Sequence, residues 1–453
     1  MSTSEQSGSV PRAVLWALVV VVGLGAVMGY IVLAPGATDF APGKRVALGD
    51  DPGHDPTGVP KVLANATLIE RGEYLTRAAD CVVCHTAKDG TPFIGGRAFV
   101  LPFGTLYSTN ITPDIETGIG KYNNADFLNV VHRGISKGGQ KLYPAMPYTS
   151  YTLMSDADAL AIKAYLFTLT PVYAPTPPNT LAFPFNQRAL MSLWSAFFNH
   201  DRRYEPNSDQ SDEWNRGAYL VEAMEHCGEC HTPRNVFFSL NNRDKFQGAV
   251  QGGWRAYNIT ADPDSGIGSW SNADIAHYLS LGHAAGRGTA SGPMGEAVDE
   301  SMSFLSSSDI EAMVTYLRTI PAARTSDLAA PRVTPASAQP EPGDLPRADM
   351  RAKEIYQEAC AGCHGWSGKG SVITTADLTG TRAVNDPTAI NVAQIILHGA
   401  EHRAAEHAAD MPSFDAVFSD ADIAAVANYV TARFGVESTQ LSASDIAKLR
   451  AAD

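Results

Sequence analysis

Cysteine is missing from this chain everywhere except in three pentapeptides. All six cysteines of the 453 residues lie in Cys81-Val82-Val83-Cys84-His85, Cys227-Gly228-Glu229-Cys230-His231 and Cys360-Ala361-Gly362-Cys363-His364. None is left over for a disulfide framework between distant segments, and bonding within so short a loop usually marks a redox site. Structural zinc takes four ligands, commonly as two paired Cys-x-x-Cys units, so three separated pairs, each with its own His, fit it poorly. Basic residues are few as well. With 34 Lys and Arg against 48 Asp and Glu, the net charge is −14, which argues against a nucleic-acid partner. Long apolar runs are lacking apart from one near the N-terminus, and no nucleophile or metal-hydrolase constellation stands out.

What remains is the repeated Cys-x-x-Cys-His, which reads as a covalent attachment site for c-type haem. Two thiols three residues apart on one helical turn face the same side and can reach the two vinyl groups on one haem edge. The following His can place an imidazole nitrogen on the iron. Cys81, Cys84, Cys227, Cys230, Cys360 and Cys363 are therefore expected to carry three haem c groups, with His85, His231 and His364 as axial ligands. Covalent haem attachment is expected outside the cytoplasmic membrane, so the motifs imply export. The length independently suggests about three domains at ~150 residues each.

Residues 13–34 form an uncharged apolar run that would span about 33 Å as a helix, enough for a ~30 Å hydrocarbon core. Trp16 and Tyr30 lie towards its ends, as an interfacial aromatic belt would require. A cleaved signal has a shorter apolar region, about 7–15 residues, and Pro35 disfavours cleavage after Ala34. The expectation is a retained signal-anchor, with residues 1–12 cytoplasmic and a Gly-, Pro- and Asp-rich tether at 35–66.

A first unit follows at 67–170, with a helix over 68–79 delivering Cys81, a Gly-rich irregular stretch, and a closing helix over 155–169. The second unit, 206–321, repeats it. Arg71-Gly72-Glu73-Tyr74-Leu75 matches Arg216-Gly217-Ala218-Tyr219-Leu220, Asn110-Ile111-Thr112 matches Asn258-Ile259-Thr260, and Asn124-Ala125-Asp126 matches Asn272-Ala273-Asp274. Ser155-Asp156-Ala157-Asp158 is paired with Ser307-Ser308-Asp309-Ile310. The Asn-Ile-Thr triplets fit a shared loop better than glycosylation, and Asp262-Pro263-Asp264 lacks the further ligands of a calcium loop. Residues 171–205 form a linker, Pro-rich and then aromatic. Its run from Phe185 to Phe198 reads as a packing helix, with a surface against membrane, quinone or a partner as the sharper alternative. A Pro- and Ala-rich linker at 322–346 precedes a shorter third unit at 347–435, closed by a helix over 419–434, and 436–453 reads as a polar tail with one possible short helix.

For the second axial position, Met146 sits in a Pro-bracketed loop, Met294 follows Ser291-Gly292-Pro293, and Met411 precedes Pro412. The interval from first Cys to Met is nearly equal in the first two units and shorter in the third. A thioether raises the potential and suits an electron carrier. His on both sides, from His132, His283, or one of His398, His402 and His407, is the alternative reading. A haem peroxidase would need an open iron face, against which three candidate methionines speak, and no output domain marks a haem-based sensor.

With these features in place the chain resembles the three-haem cytochrome c subunit of membrane-bound dehydrogenases in acetic-acid and related bacteria. The resemblance is carried by Arg71-Gly-Glu-Tyr-Leu75, Tyr107-Ser-Thr-Asn-Ile-Thr112, Leu142-Tyr-Pro-Ala-Met-Pro-Tyr148, Trp214-Asn-Arg-Gly-Ala-Tyr-Leu220, Cys230-His-Thr-Pro-Arg234 and the three haem motifs. It implies a mostly α fold: an N-terminal transmembrane helix, then three tandem class I-like cytochrome c domains with Met146, Met294 and Met411 on iron. It also implies periplasmic haem domains on the bacterial inner membrane, relaying electrons from a dehydrogenase catalytic subunit, with a possible small third subunit, to ubiquinone. The donor classes implied are quinoprotein alcohol, flavin sugar or gluconate, and molybdopterin aldehyde dehydrogenases. Phe185-Asn186-Gln187-Arg188 inclines the choice towards the aldehyde complex.

Overall fold

The computed structural model describes residues 16, 19–26, 29, 43–44, 59–88, 90–336, 347–370, 374–400, 410–437 and 439–451. Of the expected anchor, residues 19–26 are helical, with Val19, Val21 and Leu24 exposed; the rest of 13–34 lies largely outside the described residues. Among the described residues no helix is long and apolar enough to cross a membrane.

The first repeat begins with helix α1, Leu68–Ala78, whose start is fixed by Thr67 and Glu70 in a reciprocal capping box. It ends beside the Cys81–Cys84 turn and crosses the closing helix α2, Asp156–Leu166. The crossing is close because Gly72 has no side chain. A Cβ there would lie 2.0 Å from the Ala161 carbonyl oxygen. The stretch between these helices, expected to be irregular, contains a hairpin pairing Ala98–Leu101 with Gly104–Tyr107 and a helix, Asn124–Arg133. Asn123 and Asp126 cap that helix and Gly134 ends it at φ 58°, so its boundaries are written in its end residues.

The aromatic part of the 171–205 linker forms α3, Leu190–Phe198. Trp194 meets Tyr148 edge-on, and Ser195 is buried, so one face packs as expected. The other face, carrying Leu190, Leu193 and Phe197, is exposed.

The second repeat reproduces the first, with α4 at Asp212–Tyr219 and α5 at Ser307–Leu317 crossing where Gly217 would place a Cβ 1.9 Å from the Ala312 carbonyl oxygen. The register of the closing helices differs by one residue from that read in the sequence. Ser155 and Ser306 are the equivalent N-caps, bonded from Asp158 N and Asp309 N at 3.1 and 3.2 Å. Three adjacent serines, Ser306, Ser307 and Ser308, make the cap ambiguous in sequence, and only the backbone resolves which one stands outside the helix.

The matched loops also repeat. Asn110 and Asn258 are 2 % and 1 % exposed, and each accepts from the backbone N–H of the threonine two residues on, at 2.9 and 2.8 Å. Such buried amides are structural ties. Asp262 uses its Oδ1 to accept from the Asp264 and Ser265 backbone and the Ser265 hydroxyl, which closes a turn rather than a cation site.

One continuous core runs through both repeats, from Leu75 to Ile320. The third repeat has its own core, built on α6, Arg347–Ile355, and α7, Asp420–Phe434. The segment after residue 435 is not a detached tail. Its helix α8, Ala443–Ala451, joins this core through Ile446, which is 0 % exposed, and Arg450 binds Asp420. Likewise the 322–346 segment is packed where described, with Leu328 and Ala336 buried; residues 337–346 lie outside the described residues.

Candidate functional site

Each Cys-x-x-Cys-His occupies a short helical turn at the end of its repeat's leading helix. Cys81–Cys84 forms the first, with His85 as its C-cap. In the other two repeats the leading helix runs on as a wider turn, Leu220–Met224 and Tyr356–Cys360, before Gly228–His231 and Ala361–His364. The residue before the first cysteine takes a left-handed backbone in the first two repeats, Asp80 at φ 51° and His226 at φ 38°.

The three histidines are held identically. Nδ1 of His85 lies 2.6 Å from the Thr109 carbonyl oxygen, that of His231 2.5 Å from Tyr257 O, and that of His364 2.6 Å from Ala376 O. A carbonyl can only accept, so Nδ1 carries the proton and Nε2 keeps its lone pair for a metal. Burial lowers the pKa of all three imidazoles, which keeps them neutral and competent as ligands. The sequence distance from His to carbonyl is 24 and 26 residues in the first two repeats and 12 in the third, matching the loop that the third lacks.

None of the six cysteines is in a disulfide. Burial pushes the Cys84 thiol up to about 12 and those of Cys230 and Cys360 to about 11, with Cys81 and Cys227 also raised. Among the described residues no group of three His, Cys, Asp or Glu side chains could hold a metal ion. Two cysteines on one turn beside a lone-pair-bearing Nε2 fit covalent haem.

Met146, Met294 and Met411 are each partly buried at the edge of a core. Met411 pairs its backbone with Ala400 at 2.9 Å in both directions, and Met294 lies in the first turn of Pro293–Glu300. The competing Met154, Met302 and Met313 are 1 %, 3 % and 0 % exposed, filling core space. Of the alternative histidines, His132 is wholly buried with Asp156 3.4 Å from Nδ1, His283 contacts Thr289, and His398 contacts Gln394. His402 and His407 lie outside the described residues.

The first two sites are interleaved. Thr149 and Ser150, just after Met146, donate to Glu229 inside the second motif at 3.1 and 3.0 Å. Reciprocally, Arg97 donates to the Val83 carbonyl of the first motif and to Glu296, two residues beyond Met294. Two acids between the motifs are not foreseen from sequence. Burial raises the Asp80 carboxyl well above its usual range, helped by Glu296, and burial with Asp80 nearby does the same to Glu225. Nothing in their sequence context distinguishes them from surface acids.

Comparison with known proteins agrees with this geometry. The cytochrome c family model matches residues 69–170 and 350–433. The chain is 38 % identical over 416 residues to the fructose dehydrogenase cytochrome subunit of Gluconobacter japonicus, covering 87 % of this chain and 85 % of that one. The chain belongs to the dehydrogenase cytochrome c subunits. This cytochrome is also 35 % identical over 405 residues to the gluconate 2-dehydrogenase cytochrome c subunit of Pantoea cypripedii, 85 % of this chain and 90 % of that one. A nicotinate dehydrogenase chain of Pseudomonas putida is 38 % identical over 392 residues, where the cytochrome spans 85 % of itself but 32 % of the larger chain. It is thus an electron-transfer subunit of a dehydrogenase complex.

Proposed function

We propose that this cytochrome holds three haem c groups and passes electrons one at a time from a periplasmic dehydrogenase to membrane ubiquinone. The observation that carries the reading is the threefold recurrence of a histidine whose Nδ1 is fixed on a backbone carbonyl. Bound haem supplies the Fe(III)/Fe(II) couple. Cys81 with Cys84, Cys227 with Cys230, and Cys360 with Cys363 would hold it covalently, and His85, His231 and His364 together with Met146, Met294 and Met411 would supply the ligands to its iron. The domains assigned are 67–170, 206–321 and 347–435, anchored to the inner membrane through residues 13–34.

The specific donor proposed is the aldehyde-oxidising complex. The resemblances to fructose, gluconate and nicotinate dehydrogenase chains name competing donors. A pyridine haemochrome assay on the purified chain should give three haem c per polypeptide, and one or none would overturn the count. Subunits that copurify from membranes in mild detergent identify the donor. A sugar- or alcohol-oxidising partner there replaces the aldehyde assignment and leaves the relay intact.

A further inference from the structure

The helix α3 is apolar on both faces, although only one of them is packed. Inward, the Trp194 indole N–H donates to the Phe237 carbonyl at 2.8 Å, and Ser195 accepts from Lys141 Nζ at 3.0 Å. Outward, Leu190, Leu193 and Phe197 are 47, 61 and 46 % exposed. Their spacing puts them on one stripe of the helix. A helix on a water-facing surface carries charged and polar residues on that side, and this one offers only Ser192. Phe183 and Val236, 78 and 76 % exposed, are further apolar side chains in the neighbouring segments. A concentrated apolar surface of this kind has something to cover it.

We propose that this stripe seats in the outer surface of the same lipid bilayer that holds residues 13–34. The proposal rests on reading those residues as a membrane anchor, and three observations join the two. First, the chain leaving the apolar run is tied down close to α3. Gly43–Lys44 pairs antiparallel with Arg203–Tyr204, which follows the helix by only a few residues. Eight residues lie between position 34 and position 43, and fully extended the nine steps reach about 30 Å. The end of the anchor is therefore confined to the neighbourhood of α3.

Second, a cation at the edge of the stripe suits anionic headgroups. Arg188, just before the helix, lies 4.8 Å from the Tyr143 ring centroid and donates to the Lys141 carbonyl at 3.0 Å. Lys141 is held on the packed side of the helix by Ser195 and the Arg133 carbonyl, so the cation at the edge of the stripe is Arg188. A cationic stem beside an apolar stripe, lying over an aromatic ring, suits an interfacial segment. Third, a chain of net charge −14 is repelled by anionic lipid in general. A local apolar stripe with Arg188 at its edge overcomes that repulsion at one place and so sets one orientation.

The test uses the full haem-loaded chain in liposomes of phosphatidylethanolamine and phosphatidylglycerol. Leu193→Cys and, as a reference, Val417→Cys, whose native side chain is 66 % exposed, are treated with a charged water-soluble maleimide or an apolar maleimide dissolved in the lipid. Labelling is read by mass spectrometry. Cys at 193 should react with the charged reagent roughly tenfold more slowly than Cys at 417 and faster with the lipid-borne one, as for a segment seated in the interface. Equal reaction with the charged reagent overturns the proposal. Protection from both reagents overturns it in favour of a second copy or another protein on the stripe. A carbonate wash separates the premises. Retention of the chain with charged-reagent labelling at 193 overturns the docking alone, whereas release by carbonate overturns the anchor and the docking with it.

Discussion

The hydroxyl of Tyr74 donates to Asp309 Oδ2 at 2.6 Å, across 235 residues of sequence and from the first repeat into the second. The reverse bond exists too, because Tyr219 donates to Asp158 Oδ2 at 2.6 Å. Each aspartate is already paired within its own repeat, Asp158 to Arg71 and Asp309 to Arg216. Each tyrosine oxygen also accepts a backbone N–H at the opposite closing helix, from Ser306 and Ser155. The two repeats therefore clasp by exchanging one side chain each, which is the isologous pattern of a twofold interface.

Removing one clasp should cost stability without costing haem. Tyr74→Phe leaves the Arg216–Asp309 pair in place and withdraws one charge-assisted bond, for a loss of about 1.5–3 kcal/mol. Denaturant melts should show a lower midpoint with an unchanged haem count.

The same phenol predicts an alkaline limit. Burial first, and Asp309 next to it, raise the Tyr74 pKa above its usual value. Its contribution is complete below the unfolded-state phenol value of about 10 and is lost as pH climbs from there through the raised folded-state value. Thermal melts above pH ~10 should fall more steeply for wild type than for Tyr74→Phe.

Gly72→Ala should destabilise by about 1–3 kcal/mol. The added methyl meets a backbone oxygen at 2.0 Å, which cannot rotate away. The third repeat has Ala352, buried at 1 %, at the matching position, next to Arg351, which bonds Asp422 as Arg71 bonds Asp158. Ala352→Gly should cost only about 0.5–1 kcal/mol, through backbone entropy. Calorimetry on both variants reads the difference.

Asp80 should be a liability at neutral pH. Its folded-state pKa is raised, chiefly by burial, so its contribution is present only below the unfolded-state value of about 4 and is lost as pH rises through the folded one. Asp80→Asn removes the buried charge, and Asn tolerates the φ of 51° well. Its melting temperature should exceed wild type by more at pH 8 than at pH 5.

Met411→Leu should shift one of the potentiometric transitions downward, by on the order of 0.1 V within the ~0.8 V that axial ligands command. An unchanged redox titration would remove Met411 as a ligand.

Much of the molecule is legible before the fold. The leading and closing helices are readable because Thr67, Ser155 and Ser419 cap apolar periodic stretches, and the attachment residues follow from five-residue motifs. The hairpins and the Asn124–Arg133 helix are hidden by glycines that look like loop signals but serve turns and caps. The clasp is invisible for a different reason. Arg71, Tyr74 and their counterparts stand out as a match, yet a repeat says nothing about whether each tyrosine faces its own aspartate or the other's. Buried Asp80 and Glu225 have no periodicity to betray them.

The clasp also has a consequence in time. Tyr74 is synthesised 235 residues ahead of the aspartate that completes it, and at about 5–20 residues per second that interval is on the order of 10–50 s. Once Asp158 has followed, the first repeat has its own Arg71–Asp158 pair and its crossing at Gly72, but its outer face waits for a partner still being made. The surroundings of Cys81 and Cys84 are thus completed by a part of the chain made well after them, and the second repeat acts as the first one's last folding step.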